Sequence, residues 1–153
     1  MTIEKKIRLL IVDNHPIVRE GLRMLLSDES DIAVIGEAAD GLSAFELTAQ
    51  LNPDVVLMDV VLEKLDGITV TRYLRHNYPQ SQVIILTGSL EHDLRVHEAL
   101  QAGAVGYLLK DVQKADLLVA IRGAAFGKVT LHPEAQADLT RSTKLNRQEV
   151  SSC

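Results

Sequence analysis

Five short apolar runs, separated by stretches with helical spacing, constrain this chain more than any other feature. They are "IRLLIVD" (Ile7 to Asp13), "IAVIGEA" (Ile32 to Ala38), "DVVLMD" (Asp54 to Asp59), "QVIILT" (Gln82 to Thr87) and "AVGYLLK" (Ala104 to Lys110). Each is rich in leucine or β-branched residues and shows little alternation with polar ones. Strands read this way when both faces of their sheet are covered, which is the condition of a parallel sheet. The intervening stretches supply the covers. "HPIVREGLRMLLSDE" carries Ile17, Leu22, Leu25 and Leu26 on one side, with Pro16 near its start. "GLSAFELTAQL" places Leu42, Phe45 and Leu47 near one face. "GITVTRYLRHN" has Ile68, Val70 and Leu74 and stops before Pro79. "LEHDLRVHEALQAG" ends at Gly103, a suitable helix C-cap. "DVQKADLLVAIRGAAFG" repeats Val112, Leu117, Leu118 and Ile121 and ends at Gly127.

Strands alternating with helices are βαβ units, and five of them predict an α/β fold with a doubly wound parallel sheet and right-handed crossovers. Ligands of such sheets bind outside the carboxyl ends of the strands. The segment after Gly127 is polar and lacks a sustained apolar face, so the domain is placed at 1–127 and 128–153 is read as a linker. Within it, "HPEAQADLTR" is suited to a short helix after Pro133.

Composition narrows the function classes. Aromatics are 3% of the 153 residues with no Trp, so the core is aliphatic. A net charge of −5 argues against a basic face for phosphate backbones. The single cysteine, Cys153, excludes an internal disulfide framework and fits a reducing compartment. The N-terminal apolar run is too short to span a bilayer and has no cleavage pattern, so the chain is expected to be soluble, without a membrane partner, and cytoplasmic.

The polar residues at the strand ends carry the chemistry. The first run closes on Asp13 and Asn14, the third on Asp59, the fourth on Thr87 and the fifth on Lys110. In a parallel sheet these ends share one edge. Asp13 and Asp59 would repel each other there unless a cation intervenes. Mg²⁺ suits a few carboxylates together with waters and a phosphate. Asp59 is then a carboxylate nucleophile able to form an acyl phosphate. Lys110 would neutralise charge on the phosphoryl oxygens, and Thr87 would donate a hydrogen bond to one of them.

At this point the residues resemble the receiver domain of bacterial response regulators, and more narrowly the NarL/FixJ group of two-component transcription regulators. "LLIVDNHPIVREGLRMLL" is similar to that group's opening, "VDDHPxxREGL". "DVVLMDVVLEKLDGI" resembles "DVVLMDxxMPxMDGI", "VIILTG" resembles "VxxLTA", and "GAVGYLLKD" matches the group's fifth strand. The resemblance covers Ile7 to about Gly127, in order and at the right spacing. It implies a CheY-like (flavodoxin-like) five-stranded sheet of order 2-1-3-4-5. It implies phosphorylation of Asp59 by a sensor histidine kinase with Mg²⁺, the metal lying among Asp13, Asn14, Asp59 and the backbone carbonyl of Val61. Thr87 and Lys110 become switch and phosphate contacts, and Tyr107 matches the aromatic that rotates with the threonine. Such a domain is a phosphoacceptor rather than an enzyme; it catalyses only its own phosphorylation and slow dephosphorylation. A homodimer through the last helix and strand is consistent with the family. "LNRQEV" (Leu145 to Val150) resembles "LTxREREV", the opening of a LuxR-type helix-turn-helix domain, so the chain reads as a receiver plus linker, with DNA contact only through an output domain it lacks.

Three residues depart from the pattern. Asn14 stands where the family has a second acid that ligates the metal, and its neutral amide removes one charge. Glu63 replaces a proline in the loop after Asp59. Asp111 follows Lys110 where many receivers have proline, which argues against a cis bond there. Asn14 and Glu63 motivate an alternative: a degenerate, phosphorylation-independent receiver acting as a protein-interaction module. A hydrolase or phosphotransferase on the same sheet lacks support, since no phosphate-cradling glycine loop follows the first strand. His15 is read as a helix-start residue beside Pro16; His76, His92, His97 and His132 are read as surface residues; Asp66 and Gly67 are read as a turn entering a helix.

Overall fold

Alternate residues of the central strands face two separate cores, and this sorts the whole chain. The computed structural model describes residues 5–88 and 95–140; His92, "LNRQEV" and Cys153 lie outside them. The strands are β1 (Ile7–Val12), β2 (Ile32–Ala38), β3 (Val55–Met58), β4 (Gln82–Thr87), β5 (Gly106–Leu109) and β6 (Thr130–Leu131). The helices are α1 (Pro16–Leu26), α2 (Gly41–Leu51), α3 (Gly67–Asn77), α4 (Val96–Gln101) and α5 (Lys114–Ala124). All strand pairings are parallel, and the sheet order is β2-β1-β3-β4-β5-β6. Leu10, Val12, Val56, Met58, Val83 and Ile85 meet Ala44 of α2, Ile68, Val70 and Leu74 of α3, and Val96 and Ala99 of α4. Leu9, Ile11, Val55, Leu57, Ile84 and Leu86 meet Leu26 of α1 and Leu117, Ile121 and Ala124 of α5. This is the doubly wound arrangement the apolar runs predict, because a period of two feeds both faces equally.

Two helix faces differ from the sequence expectation. Ile17 is 83% exposed and Leu42 is 65% exposed. At 100° per residue Ile17 lies well round the helix from the stripe formed by Leu22, Leu25 and Leu26, and only that stripe faces the sheet. In α2 the buried side is Gly41, Ala44 and Thr48, so Leu42 turns outward. The turn residues behave as expected: Asp66 caps α3, its carboxylate accepting the Thr69 N–H at 2.8 Å, and Asp40 caps α2 in the same way through Ser43. Gly103 has φ +104° just after α4, a conformation that side chains other than glycine's rarely adopt. No cis peptide bond occurs among the described residues, in keeping with Asp111 after Lys110.

The sheet has one strand more than expected. β6, in the segment read as a linker, extends β5: Thr130 N–H donates to the Val105 carbonyl and His132 N–H to the Tyr107 carbonyl, both at 2.9 Å. Residues 133–140 are helical, as "HPEAQADLTR" suggests, and Ala135 is fully buried in the core shared with α2, α3 and α4. A strand of two residues carries no sequence period of its own, which is why the pattern did not show it. Among the described residues no helix is long and apolar enough to cross a membrane.

Candidate functional site

The carboxyl edge of the sheet brings together residues that are far apart in sequence. Asp13 N–H donates to the Ala38 carbonyl of β2, and Asp59 N–H donates to the Val12 carbonyl of β1. These ladder bonds fix the two acids at the ends of neighbouring strands. Lys110, just past β5, donates its N–H to the Thr87 carbonyl at 2.7 Å, which ties the end of β5 to the end of β4. Its side chain then crosses the edge. Lys110 Nζ lies 2.7 Å from Asp13 Oδ2 and 3.1 Å from Asp59 Oδ2. Both acids are 3% exposed, and Thr87 beside them is 1% exposed.

The electrostatics follow from that burial. Burial withholds water from the Asp59 carboxylate and Asp13 adds a like charge, so its pKa is raised even though Lys110 and the Val61 N–H oppose the shift. Burial also works against the charge on Lys110, but its hydrogen bond to Asp13 and the charge of Asp59 outweigh this and raise its pKa. The ammonium is therefore firmly charged, and one cation is shared by two buried anions.

The remaining predicted residues fall around this triad. Asn14 follows Asp13, and its buried Oδ1 has no hydrogen-bond partner among the described residues. Val61 donates its N–H to Asp59 Oδ1 at 3.3 Å, and its side chain turns out, 55% exposed. Tyr107 is fully buried, and its hydroxyl accepts the Arg95 N–H at 3.2 Å. Asp13, His15 and Asp59 each offer one ligand atom, and the three atoms lie within 4.8 Å of one another. An unpartnered buried acceptor is costly, and two carboxylates beside it make a donor set of hard oxygens. These residues fit a hard divalent cation.

Sequence reasoning passed over three contributors. His15 is exposed, as expected of a helix-start residue, but it is not remote: its Nδ1 is 3.0 Å from Asp13 Oδ1, and its backbone N–H donates to the same oxygen at 2.8 Å. Arg19, inside the quoted "VREGL", donates to the Asp13 carbonyl at 2.5 Å and pairs with Glu37 at 3.4 Å. Gly67 carries the strongest steric demand near the site: a Cβ there would lie 1.9 Å from the Asp59 carbonyl oxygen. The "DG" pair marked a turn, but only the fold shows what the glycine makes room for.

A family model described as the response regulator receiver domain matches residues 9–122. The chain belongs to that family. As a receiver domain it is 42% identical, over 125 residues, to the transcriptional regulatory protein LiaR of Bacillus subtilis, a match covering 82% of this chain and 59% of LiaR. It is 37% identical over 138 residues to the response regulator protein VraR of Staphylococcus aureus, covering 90% of this chain and 66% of VraR. The chain thus spans less than two thirds of the length of these relatives. Among solved structures, the two-component response regulator of the LuxR family from Aurantimonas sp. SI85-9A1 superposes with a TM-score of 0.80 at 34% identity, covering 91% of this chain and 99% of that one. The receiver family and its fold are therefore those that the strand-end motifs imply.

Proposed function

We propose that this receiver takes a phosphoryl group onto Asp59 from a sensor histidine kinase in the cytoplasm, with Mg²⁺, and so switches a transcriptional output. The observation that carries the reading is the Lys110 bridge between Asp13 Oδ2 and Asp59 Oδ2, at 2.7 and 3.1 Å. In transfer, an Asp59 carboxylate oxygen bonds to phosphorus, the bond from phosphorus to the donor breaks, and the donor leaves with its electron pair. Burial favours this attack, because a poorly hydrated carboxylate is the stronger nucleophile. Lys110 then turns from the carboxylate toward the added phosphoryl charge, about −1.5 to −2 at pH 7. The Val61 N–H, already on Asp59 Oδ1, steadies the acceptor; Thr87, which closes β4 and holds the Lys110 N–H on its carbonyl, is the hydroxyl donor to a phosphoryl oxygen in this reading. A bound Mg²⁺ would neutralise the phosphoryl oxygens, with Asp13, Asn14, Asp59 and the Val61 carbonyl as its holders.

Consumption of the Lys110 bridge is the event a switch can read. Movement of Thr87 would draw on Tyr107, whose hydroxyl is held by the start of α4 through Arg95. The domain is a phosphoacceptor and not a turnover enzyme. The transcriptional output is drawn from likeness to LiaR, and DNA contact is assigned to an output domain, since a net charge of −5 argues against phosphate-backbone binding by this segment. The test is intact-protein mass spectrometry after incubation with acetyl phosphate and Mg²⁺. A single phosphoryl adduct is expected, absent in Asp59→Ala and without metal. No adduct on folded wild-type protein would reject the reading.

A further inference from the structure

We propose that Arg19 is a positioning residue for the Mg²⁺ site: its guanidinium fixes the backbone of Asp13, and with it the Asp13 and Asn14 oxygens offered to the cation. The inference rests on the receiver reading of the same pocket and adds a residue outside its acidic set. It starts where the sheet ends. The register of β1 with β2 and with β3 stops at Val12. Asp13 lies one residue beyond. Its N–H still reaches the Ala38 carbonyl, but its own carbonyl is met by a side chain: Arg19 Nη1 reaches back six residues from α1 and donates to it at 2.5 Å. Asp13 is buried, so that carbonyl needs a partner. The Arg19 backbone N–H donates to the His15 carbonyl at 3.2 Å. One residue therefore holds both ends of the turn from Asp13 to His15, and Asn14 lies between them. The Asn14 Oδ1 is buried and unpartnered among the described residues, so its place is set by the backbone and not by a bond of its own.

Glu37 anchors the arginine. Arg19 Nε lies 3.4 Å from Glu37 Oε1, on β2 one residue before Ala38, and the Arg19 side chain is 18% exposed. The planar guanidinium spans the Asp13 carbonyl and the Glu37 carboxylate together, which a single ammonium cannot do. The start of α1 and the ends of β1 and β2 are thus tied at Asp13. Charge alone predicts the opposite of positioning. Arg19 and Arg23 both pair with Glu37, so this cluster carries one net positive charge. Such a charge repels a cation nearby, and on that ground loss of Arg19 would tighten Mg²⁺ binding. Positioning predicts weaker binding, because groups that orient metal ligands are typically worth tenfold or more in affinity. With no charge on Asn14, the cation depends on two carboxylates, and one of them is aimed by Arg19.

Titration of the chain with Mg²⁺, followed by amide NMR shifts, tests this. Arg19→Gln is expected to raise the Mg²⁺ dissociation constant about tenfold. Arg23→Gln is the control. It removes the same charge from the same Glu37, but Arg23 is 56% exposed and among the described residues pairs with Glu37 alone, so Mg²⁺ should bind as in the wild type or slightly tighter. Arg19→Lys keeps the charge and loses the fork, and its affinity should fall between wild type and Arg19→Gln. Labelling of Asp59 by acetyl phosphate should slow in Arg19→Gln at limiting Mg²⁺ and return to the wild-type rate at saturating Mg²⁺, the split expected of a residue that acts through the metal's ligands. The same spectra report folding; should Arg19→Gln not fold, Arg19→Lys decides. Unchanged or tighter Mg²⁺ binding by the folded Arg19 variants, or an equal loss in Arg23→Gln, would overturn the inference, and wild-type labelling would leave the receiver reading standing. A wild-type chain that neither binds Mg²⁺ nor takes the label would remove both.

Discussion

Asp59 is buried at a strand end although burial opposes its charge. Its folded pKa lies above the ordinary value of 3.8, through burial and then Asp13. The folded chain thus holds a proton up to a higher pH than the unfolded chain does. Ionisation of this residue costs stability as pH rises from that ordinary value through the folded one, and the cost is fully present above both. Asp59→Asn removes it. The variant should melt on the order of 2–4 °C higher than wild type at pH 7, and the gap should narrow as the pH is lowered below the ordinary carboxylate value of 3.8, toward about pH 3. Thermal melts at the two pH values check this. Lys110→Ala acts in the opposite direction, since it leaves two buried acids without their shared cation. A loss of about 3 kcal/mol at neutral pH is expected, partly recovered in acid as Asp59 takes up its proton. Denaturant titration at both pH values measures it. The site is thus strained for function: its acids are held where charge is expensive, and one lysine makes that tolerable.

At the scale of elements, the loop between β3 and α3 is the part that cannot be redrawn. Gly67 begins α3 while its N–H donates to the Val60 carbonyl at 2.7 Å, so the helix start lies directly against the strand end that carries Asp59. A methyl group at this position would meet the Asp59 carbonyl oxygen at 1.9 Å, which is backbone and cannot step aside. Gly67→Ala is expected to destabilise the fold by about 3 kcal/mol and to displace Asp59 enough to slow labelling by acetyl phosphate. Equilibrium unfolding and the rate of adduct formation separate the two effects. On the other side of the same loop, Asp66 caps α3 and also meets Arg95 at 3.4 Å, at the start of α4. Arg95 in turn gives its backbone N–H to Tyr107. The phosphoacceptor loop, α4 and the core tyrosine are therefore joined by short polar links, which gives the proposed switch a physical route.

The molecule as a whole is larger than its repeating pattern. β6 covers the edge of β5, and Ala135 with the half-buried Leu131 and Leu139 closes one core. A chain ended at Gly127 would leave the β5 edge unpaired and this apolar surface wet. It should unfold at lower denaturant concentration, with a loss of about 2 kcal/mol or more. At the opposite end of the sheet from the site, Arg122 of α5 pairs with Glu29 and Asp31 at 2.9 and 2.8 Å. That cluster is exposed and screened, so it orients α5 more than it stabilises the fold.

The order of strands and helices, the parallel sheet and the strand-end acids Asp13 and Asp59 with Thr87 and Lys110 were legible in the sequence. The reason is local: periods of two and near four residues, and a polar residue closing each apolar run, are written in neighbouring positions. The tertiary structure alone decided what depends on distance across the fold. It turned Ile17 and Leu42 outward, because which stripe of an apolar helix meets the sheet depends on the sheet. It added β6, because a strand of two residues exists only through its partner. It set Lys110 between two acids, 97 and 51 positions earlier in the chain, left the Asn14 oxygen unpartnered among the described residues, and brought His15 against Asp13. Residue types can announce a site, but the sharing of one cation between two anions is a matter of ångströms that only packing sets.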